Sequence, residues 1–209
     1  MTSVAAAPAR GFDQACAARV SQWMATAVDA GSFDTLLFAK LVAAREVRGE
    51  WALLGLSAVQ WAGLMSRHFA RVSALPGSTG GLTYGAGVAS KLTLTPPQHV
   101  DFVSSLRALL LHYADPAVCP DDAQCLATIV AYACLRPDHL WRDLGLKGRD
   151  EVSAMLERYF PSLIRLNVEN LRWKKFLARQ LAVSLGEEPG PAPGCPGCED
   201  YGFCFPSAS

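Results

Sequence analysis

Three cysteines, Cys195, Cys198 and Cys204, lie close together in a C-terminal tail that is rich in proline and glycine. The tail has no apolar periodicity, so its thiols are better suited to binding a ligand than to filling a core. A CxxC pair lets two sulfurs turn onto one metal centre, and a third cysteine shortly afterwards completes a set of three thiolates. We therefore predict a metal site in residues 186–209 with these three cysteines as its ligands.

The number of thiolates bears on which metal the tail binds. A structural zinc site normally takes four protein ligands, whereas an iron-sulfur cluster is held by thiolates from an irregular loop. A cuboidal cluster that lacks one iron needs three thiolates and leaves a face of sulfides open to a second metal. Cys119, in a loop before a predicted helix, is a candidate extra ligand. At this point an iron-sulfur cluster, a zinc site and a tail of free thiols all remain open.

Four further side chains are candidates for binding an anion. On a predicted helix over residues 169–185, one face carries Arg172, Lys175 and Arg179. We expect this face to hold an oxyanion such as molybdate, to balance an anionic cluster, or to meet an acidic partner surface; an ordinary solvated face is the alternative. His139, between two helical segments, is either a metal or anion contact or a structural hydrogen bonder.

Helices must position these residues, because apolar side chains recur at helical spacing along most of the chain and strand-like alternation is nearly absent. We predict an all-α protein with one helical domain over residues 12–185. We also expect a disordered N-terminus (1–11), a flexible loop at about 72–95 and an irregular cysteine-rich tail (186–209). The predicted helices cover residues 13–30, 33–48, 58–70, 97–113, 122–135, 149–159 and 169–185.

A weak internal repeat relates the two halves of the helical region. Residues 51–56 and 64–69 parallel residues 141–146 and 155–160. Each copy has a tryptophan, a Leu-Gly-Leu turn and an amphipathic helix that ends in an aromatic residue. The repeat predicts two similar helix-turn-helix halves.

Composition narrows the class of protein. Lysine plus arginine equals aspartate plus glutamate at 19 each, so no overall field recruits nucleic acid or an anionic membrane. The chain has no secretory signal pattern and no apolar run of about 20 residues, so we expect a soluble cytoplasmic protein. No nucleophile elbow, catalytic carboxylate pair or HExxH motif stands out, so we do not expect a hydrolase.

Four segments in this order resemble the NifQ family. They are DHLWRDLGL (138–146), YFP (159–161), RWKKF (172–176) and the cysteine tail. The resemblance implies a molybdenum carrier that donates the metal to biosynthesis of the iron-molybdenum cofactor of nitrogenase and holds it on an iron-sulfur cluster. It also implies dinitrogenase reductase and the cofactor scaffold complex as partners, and a carrier rather than an enzyme.

The tail departs from the family pattern at one position. The family tail is usually Cx4Cx2Cx5C, and Gly190 occupies the place of its first cysteine. The three remaining thiols match a 3Fe-4S cluster, with molybdenum bound as molybdate or in a molybdenum-iron-sulfur cluster. A zinc-stabilised helical interaction module, a ferredoxin and a family member that has lost its cluster are the competing hypotheses.

Overall fold

The protein is described by a computed structural model that covers residues 7–69 and 97–206. Every regular element in these two ranges is helical, which confirms the predicted all-α class. The chain divides into two compact units, of which the described parts are 7–69 and 97–206. None of the helices within the described ranges has the length and apolar character needed to span a bilayer.

The first unit is built around one helix that buries most of its residues. Helix α2 (Phe33–Val47) packs against α1 (Ala7–Ala25), followed by a 3-10 turn (Trp51–Leu54) and helix α3 (Ala58–His68). The Ser32 hydroxyl accepts a hydrogen bond from the Thr35 amide and caps α2.

The second unit contains the helices that position the tail. They follow a 3-10 turn at Pro97–His99 and are α4 (Val100–His112), α5 (Pro120–Ala133), α6 (Leu140–Leu144), α7 (Arg149–Tyr159), α8 (Pro161–Ile164), α9 (Trp173–Leu185) and, in the tail, α10 (Tyr201–Cys204). Pro120 at the first position of α5 and two aspartates in its first turn favour the start of that helix. Almost every later side chain of α5 is buried, so this helix forms the centre of the unit.

The predicted repeat is visible in the backbone of the two units. Gly55 ends the 3-10 turn at φ 69° and Gly145 ends α6 at φ 72°, both in the left-handed region that favours glycine. The leucine after each glycine is buried. The next helix in each unit then ends on an aromatic cap with φ −136°, namely Phe69 and Phe160.

One long-range hydrogen bond also repeats. The amide of Val28 donates to the carbonyl of His68, and the amide of Asp115 donates to the carbonyl of Tyr159, each over 2.9 Å. In both units the acceptor is the last residue of a helix, directly before the aromatic cap. The donor lies in the loop that precedes the second helix of the same unit, so the hydrogen bond fixes that loop. The two halves therefore share their turn geometry as well as their order of helices.

The helix before the tail is shorter than predicted. It begins at Trp173 rather than at residue 169, because Asn170 has a positive φ of 52° and breaks helical geometry. The Asn167 carboxamide accepts a hydrogen bond from the Leu171 amide over 2.8 Å and stabilises this turn. As a result Arg172 precedes the helix and does not share a helical face with the later basic residues.

Three short helices, α6, α8 and α10, were not predicted, because four or five residues are too few to display a helical period. The tail, predicted to be irregular, contains α10 and a 3-10 turn at Cys195–Gly197. Helix α1 begins at Ala7, ahead of the predicted start at residue 13. The predicted flexible loop at 72–95 and residues 1–6 of the predicted disordered N-terminus lie outside the described residues.

Gly186 sets the direction in which the chain leaves α9 toward the tail. It caps the helix at φ 71°, and a Cβ placed there would meet no atom within 4 Å. Gly186→Ala is therefore expected to lower the free energy of unfolding by about 1 kcal/mol through backbone strain alone. Gly190→Ala is the matched control, since Gly190 has neither a positive φ nor a nearby atom. Urea denaturation followed by circular dichroism measures both, and equal losses in the two variants would contradict the strain argument.

Candidate metal centre

The tail docks on the turn that follows α5. The Gly194 amide donates to the Cys134 carbonyl over 3.0 Å, and Ala192 and Cys195 on either side are buried. A Cβ at Gly194 would lie 1.9 Å from the carbonyl oxygen of Arg136. No side chain fits at that distance, so a residue without a Cβ is required at this point of the tail.

The three tail cysteines line one cavity. Its wall also includes His139, from the turn after α5, and residues at the start of α9. The structure thus brings together most of the side chains singled out from the sequence: Cys195, Cys198, Cys204, His139, Arg172 and Lys175.

The cysteines share this cavity without converging on one point. Within residues 7–69 and 97–206, no three histidine, cysteine, aspartate or glutamate side chains are grouped closely enough to hold one metal ion. Cys195 is buried, whereas Cys198 and Cys204 are half-buried. A single ion bound by all three thiolates would therefore require the sulfurs to move closer together, whereas a cluster, in which each thiolate binds a different iron, does not require them to meet at one point.

A buried ionic cluster includes Lys174 of the cavity wall. The Lys174 ammonium donates to the Arg136 carbonyl over 2.7 Å and pairs with the Asp143 carboxylate. The side chains of Lys174 and Asp143 are only 6% and 5% exposed, and Asp143 also accepts from Arg136 Nε over 3.1 Å. Because each buried charge has a partner, the cluster ties α6 and α9 to the turn on which the tail docks.

Burial and nearby charges act on the thiols in opposite directions. Burial raises the pKa of Cys134 to about 12, although the positive charge of Lys174 opposes the rise. Burial also raises the pKa of Cys195, while a backbone hydrogen bond at Ala192 and the charge of Lys174 lower it. Both thiols are therefore protonated at neutral pH, and a metal that binds Cys195 must displace its proton.

An ionic rim closes one side of the cavity. The Asp200 carboxylate lies 2.7 Å from Arg172 and 3.0 Å from His139 Nε2. Beside it, Glu199 pairs with Arg142 over 2.8 Å. The tail is thus held by charge pairs at the two positions that follow Cys198.

Two of the candidates are not at this site. Arg179 pairs with Glu169 over 2.6 Å and does not line the cavity. Cys119 is exposed at the N-terminus of α5, whereas the tail docks at the C-terminal end of that helix. Fourteen helical residues separate the two ends by roughly 20 Å. The structure therefore does not bring Cys119 to the three tail cysteines.

Sequence reasoning missed two residues of the site. Lys174 was not predicted as a site residue, because the predicted helix places it outside the face that carries Arg172 and Lys175. In the structure Lys174 is buried in the cavity wall. Asp200 also lines the cavity, and the only signal for it was an acidic pair between two cysteines. Cys125 and Cys134 are buried and do not line the cavity.

The second unit therefore defines a helical protein with a cysteine-lined, cation-rich cavity at the docking site of its tail. The NifQ family profile matches residues 35–206, so the chain belongs to the NifQ family. No solved structure matches the chain.

Curated relatives carry the same family name. The chain is 45% identical over 103 residues to the "Protein NifQ homolog" of Sinorhizobium fredii (49% of this chain, 44% of that protein). It is 46% identical over 80 residues to "Protein NifQ" of Azotobacter vinelandii (38% and 41%), and 33% identical over 114 residues to "Protein NifQ" of Rhodobacter capsulatus (54% and 62%). The matched segments thus span less than two thirds of each relative.

The docking geometry predicts the effect of a methyl group at Gly194. Gly194→Ala is expected to push the tail off the Arg136 carbonyl and expose Cys195, since overpacking typically costs about 1–3 kcal/mol. Alkylation of Cys195 by iodoacetamide, followed by peptide mass spectrometry on reduced protein, should become about tenfold faster. Gly202→Ala is the matched control, because a Cβ there meets no atom within 4 Å. Unchanged alkylation in Gly194→Ala would show that the tail does not depend on this contact.

Proposed function

We propose that the protein is a molybdenum carrier of nitrogen fixation. It would hold the metal on an iron-sulfur cluster bound by Cys195, Cys198 and Cys204, and donate it to the iron-molybdenum cofactor of nitrogenase. The observation that carries the proposal is the single cavity lined by all three tail cysteines and by the basic residues of the α9 start. Membership of the NifQ family supports the same conclusion.

The donor set suits an iron-sulfur cluster with three thiolate ligands. Thiolates are the usual ligands of such clusters, and a cluster that lacks one iron needs three of them. Its open sulfide face would supply the binding site for molybdenum. Gly190 occupies the place of the first cysteine of the family pattern. The absence of that cysteine is compatible with this arrangement, because the three remaining thiols line the cavity without it.

The cations around the cavity would balance the negative charge of the cargo. Lys174 lies in the wall with a buried ammonium, and Lys175 donates a hydrogen bond to the Cys204 carbonyl. Opposite charges at short range in a poorly hydrated site interact more strongly than at the surface. Lys174 would also favour deprotonation of Cys195, since its charge lowers the pKa of that thiol. Arg172, Lys175 and His139 therefore have roles in holding a cluster or molybdate, and Arg179 would act only at a partner surface.

A carrier must release its cargo as well as bind it. Cys198 and Cys204 are half-buried and Phe203 between them is exposed, so an acceptor protein would reach the cargo from the tail side. By the family resemblance, the acceptors would be dinitrogenase reductase and the cofactor scaffold complex in the cytoplasm. The protein would then act stoichiometrically, without enzymatic turnover.

The proposal predicts the metal content of the protein. Purified anaerobically from cells supplied with iron and molybdate, the parent should carry about three irons per chain, bound molybdenum and the electron paramagnetic resonance signal of a three-iron cluster. Cys198→Ala should lose most of this iron and molybdenum while keeping its helical content. Cys119→Ala is the matched control, because this cysteine is exposed at the far end of α5.

Three outcomes would contradict the proposal. Zinc without iron would favour a zinc-stabilised helical interaction module, and protein without metal would favour a family member that has lost its cluster. A Cys198→Ala variant that binds iron and molybdenum like the parent would exclude the tail as the ligand set.

The position of the missing family cysteine offers a second test. A Cβ at Gly190 meets no atom within 4 Å, so Gly190→Cys should fold like the parent. A fourth thiolate there is expected to raise the iron content from about three to about four per chain and to abolish the three-iron resonance signal. Gly190→Ala, which adds a methyl group without a thiol, should leave both unchanged. Loss of iron in both variants would show that glycine itself is required at this position.

A further inference from the structure

The Asp200 carboxylate is bound by two donor groups that could also bind an external anion. Its Oδ2 lies 2.7 Å from the Arg172 guanidinium and 3.0 Å from His139 Nε2. Arginine only donates hydrogen bonds, so the 3.4 Å contact between Arg172 and His139 Nδ1 makes Nδ1 the acceptor. His139 then carries its proton on Nε2 and presents it to Asp200.

These two donors have the chemistry of an oxyanion site. A guanidinium and an imidazole N–H that meet at one point bind the oxygens of a tetrahedral anion as readily as those of a carboxylate. Lys175 of the same cavity adds positive charge, whereas the Lys174 ammonium is paired with Asp143. A carboxylate from the protein's own tail is therefore in direct competition with any oxyanion that enters.

We propose that Arg172 and His139 form a binding site for a tetrahedral oxyanion, and that Asp200 is the internal ligand that an entering oxyanion displaces. The identification of that oxyanion as molybdate rests on the proposed function. The site itself rests on the distances among three side chains of the second unit.

Displacement of Asp200 would also act on the cysteines. The Asp200 carbonyl accepts hydrogen bonds from the amides of Phe203 and Cys204, each over 3.1 Å, and so begins the helical turn that carries Cys204. Arg172 additionally lies over the Phe203 ring, 5.1 Å from its centroid. Release of the Asp200 side chain would therefore remove a charge pair that holds the turn carrying Cys204 against Arg172.

The neighbouring carboxylate provides the control. Glu199 is 62% exposed, pairs with Arg142 over 2.8 Å and lies 3.8 Å from His139. Glu199→Gln removes the same charge from the same tail without freeing Arg172. A general electrostatic effect on anion affinity would appear in both variants, whereas competition for the site appears only in Asp200→Asn.

The test is equilibrium dialysis of molybdate, at low salt, against full-length protein freed of metals by a chelator. An internal ligand reduces the apparent affinity to the intrinsic affinity multiplied by the fraction of time that the site is free of it. Asp200→Asn is expected to bind molybdate about three- to tenfold more tightly than the parent, because partly exposed ion pairs are modest in strength. Glu199→Gln should change the affinity by less than about twofold, and Arg172→Gln introduced into Asp200→Asn should remove the gain.

The inference is overturned if Asp200→Asn binds no molybdate, binds like the parent, or gains no more than Glu199→Gln. Reconstitution of the parent protein with iron tests the proposed function independently of the molybdate affinities. A gain in Asp200→Asn together with a parent that takes up no iron would contradict the cluster and leave the oxyanion site standing. Iron and molybdenum in the parent with no effect of Asp200→Asn would contradict the inference alone.

Discussion

The site depends on the close approach of the tail backbone to the turn after α5. The carbonyl of Arg136 accepts a hydrogen bond from Lys174 and also lies where a side chain at Gly194 would have to be. Lys174 is fixed in turn by the carboxylate of Asp143. One carbonyl oxygen thus joins three separate segments of the second unit, and the cavity exists because the tail is held against it. Backbone groups that are buried in this way need partners, and the Arg136 carbonyl has one in the Lys174 ammonium.

The charge pairs near the cysteines differ in burial. The buried Lys174 is neutralised by the buried Asp143, and this pair stabilises the fold only as long as both members are present. The partly exposed rim pairs Arg172 with Asp200 and Arg142 with Glu199. Exposed pairs are weak and exchange readily with other ions. The buried pair therefore suits structural support, whereas the exposed pairs suit exchange with another anion.

The repeated halves illustrate how local sequence encodes local structure. A Leu-Gly-Leu turn after a tryptophan predicted a glycine cap, and Gly55 and Gly145 both adopt the left-handed conformation. Only the second half carries a docked tail. The cavity-lining His139 lies directly before the helical turn that ends at Gly145, so the second of the two similar turns lies beside the docked tail.

The sequence by itself determined the all-α class, the positions of the long helices and the three tail cysteines as one candidate ligand set, because helical periodicity and cysteine spacing are local properties of the chain. The sequence did not determine which basic residues line the cavity together with the three cysteines. Arg172 lines the cavity because Asn170 ends the preceding turn before α9 starts. Arg179 pairs with Glu169 and does not line the cavity. Lys174 and Asp200 belong to the site only because segments distant in sequence, 134–143, 172–175 and 192–205, meet in space. Such contacts depend on tertiary packing, and periodic patterns in the sequence do not predict them.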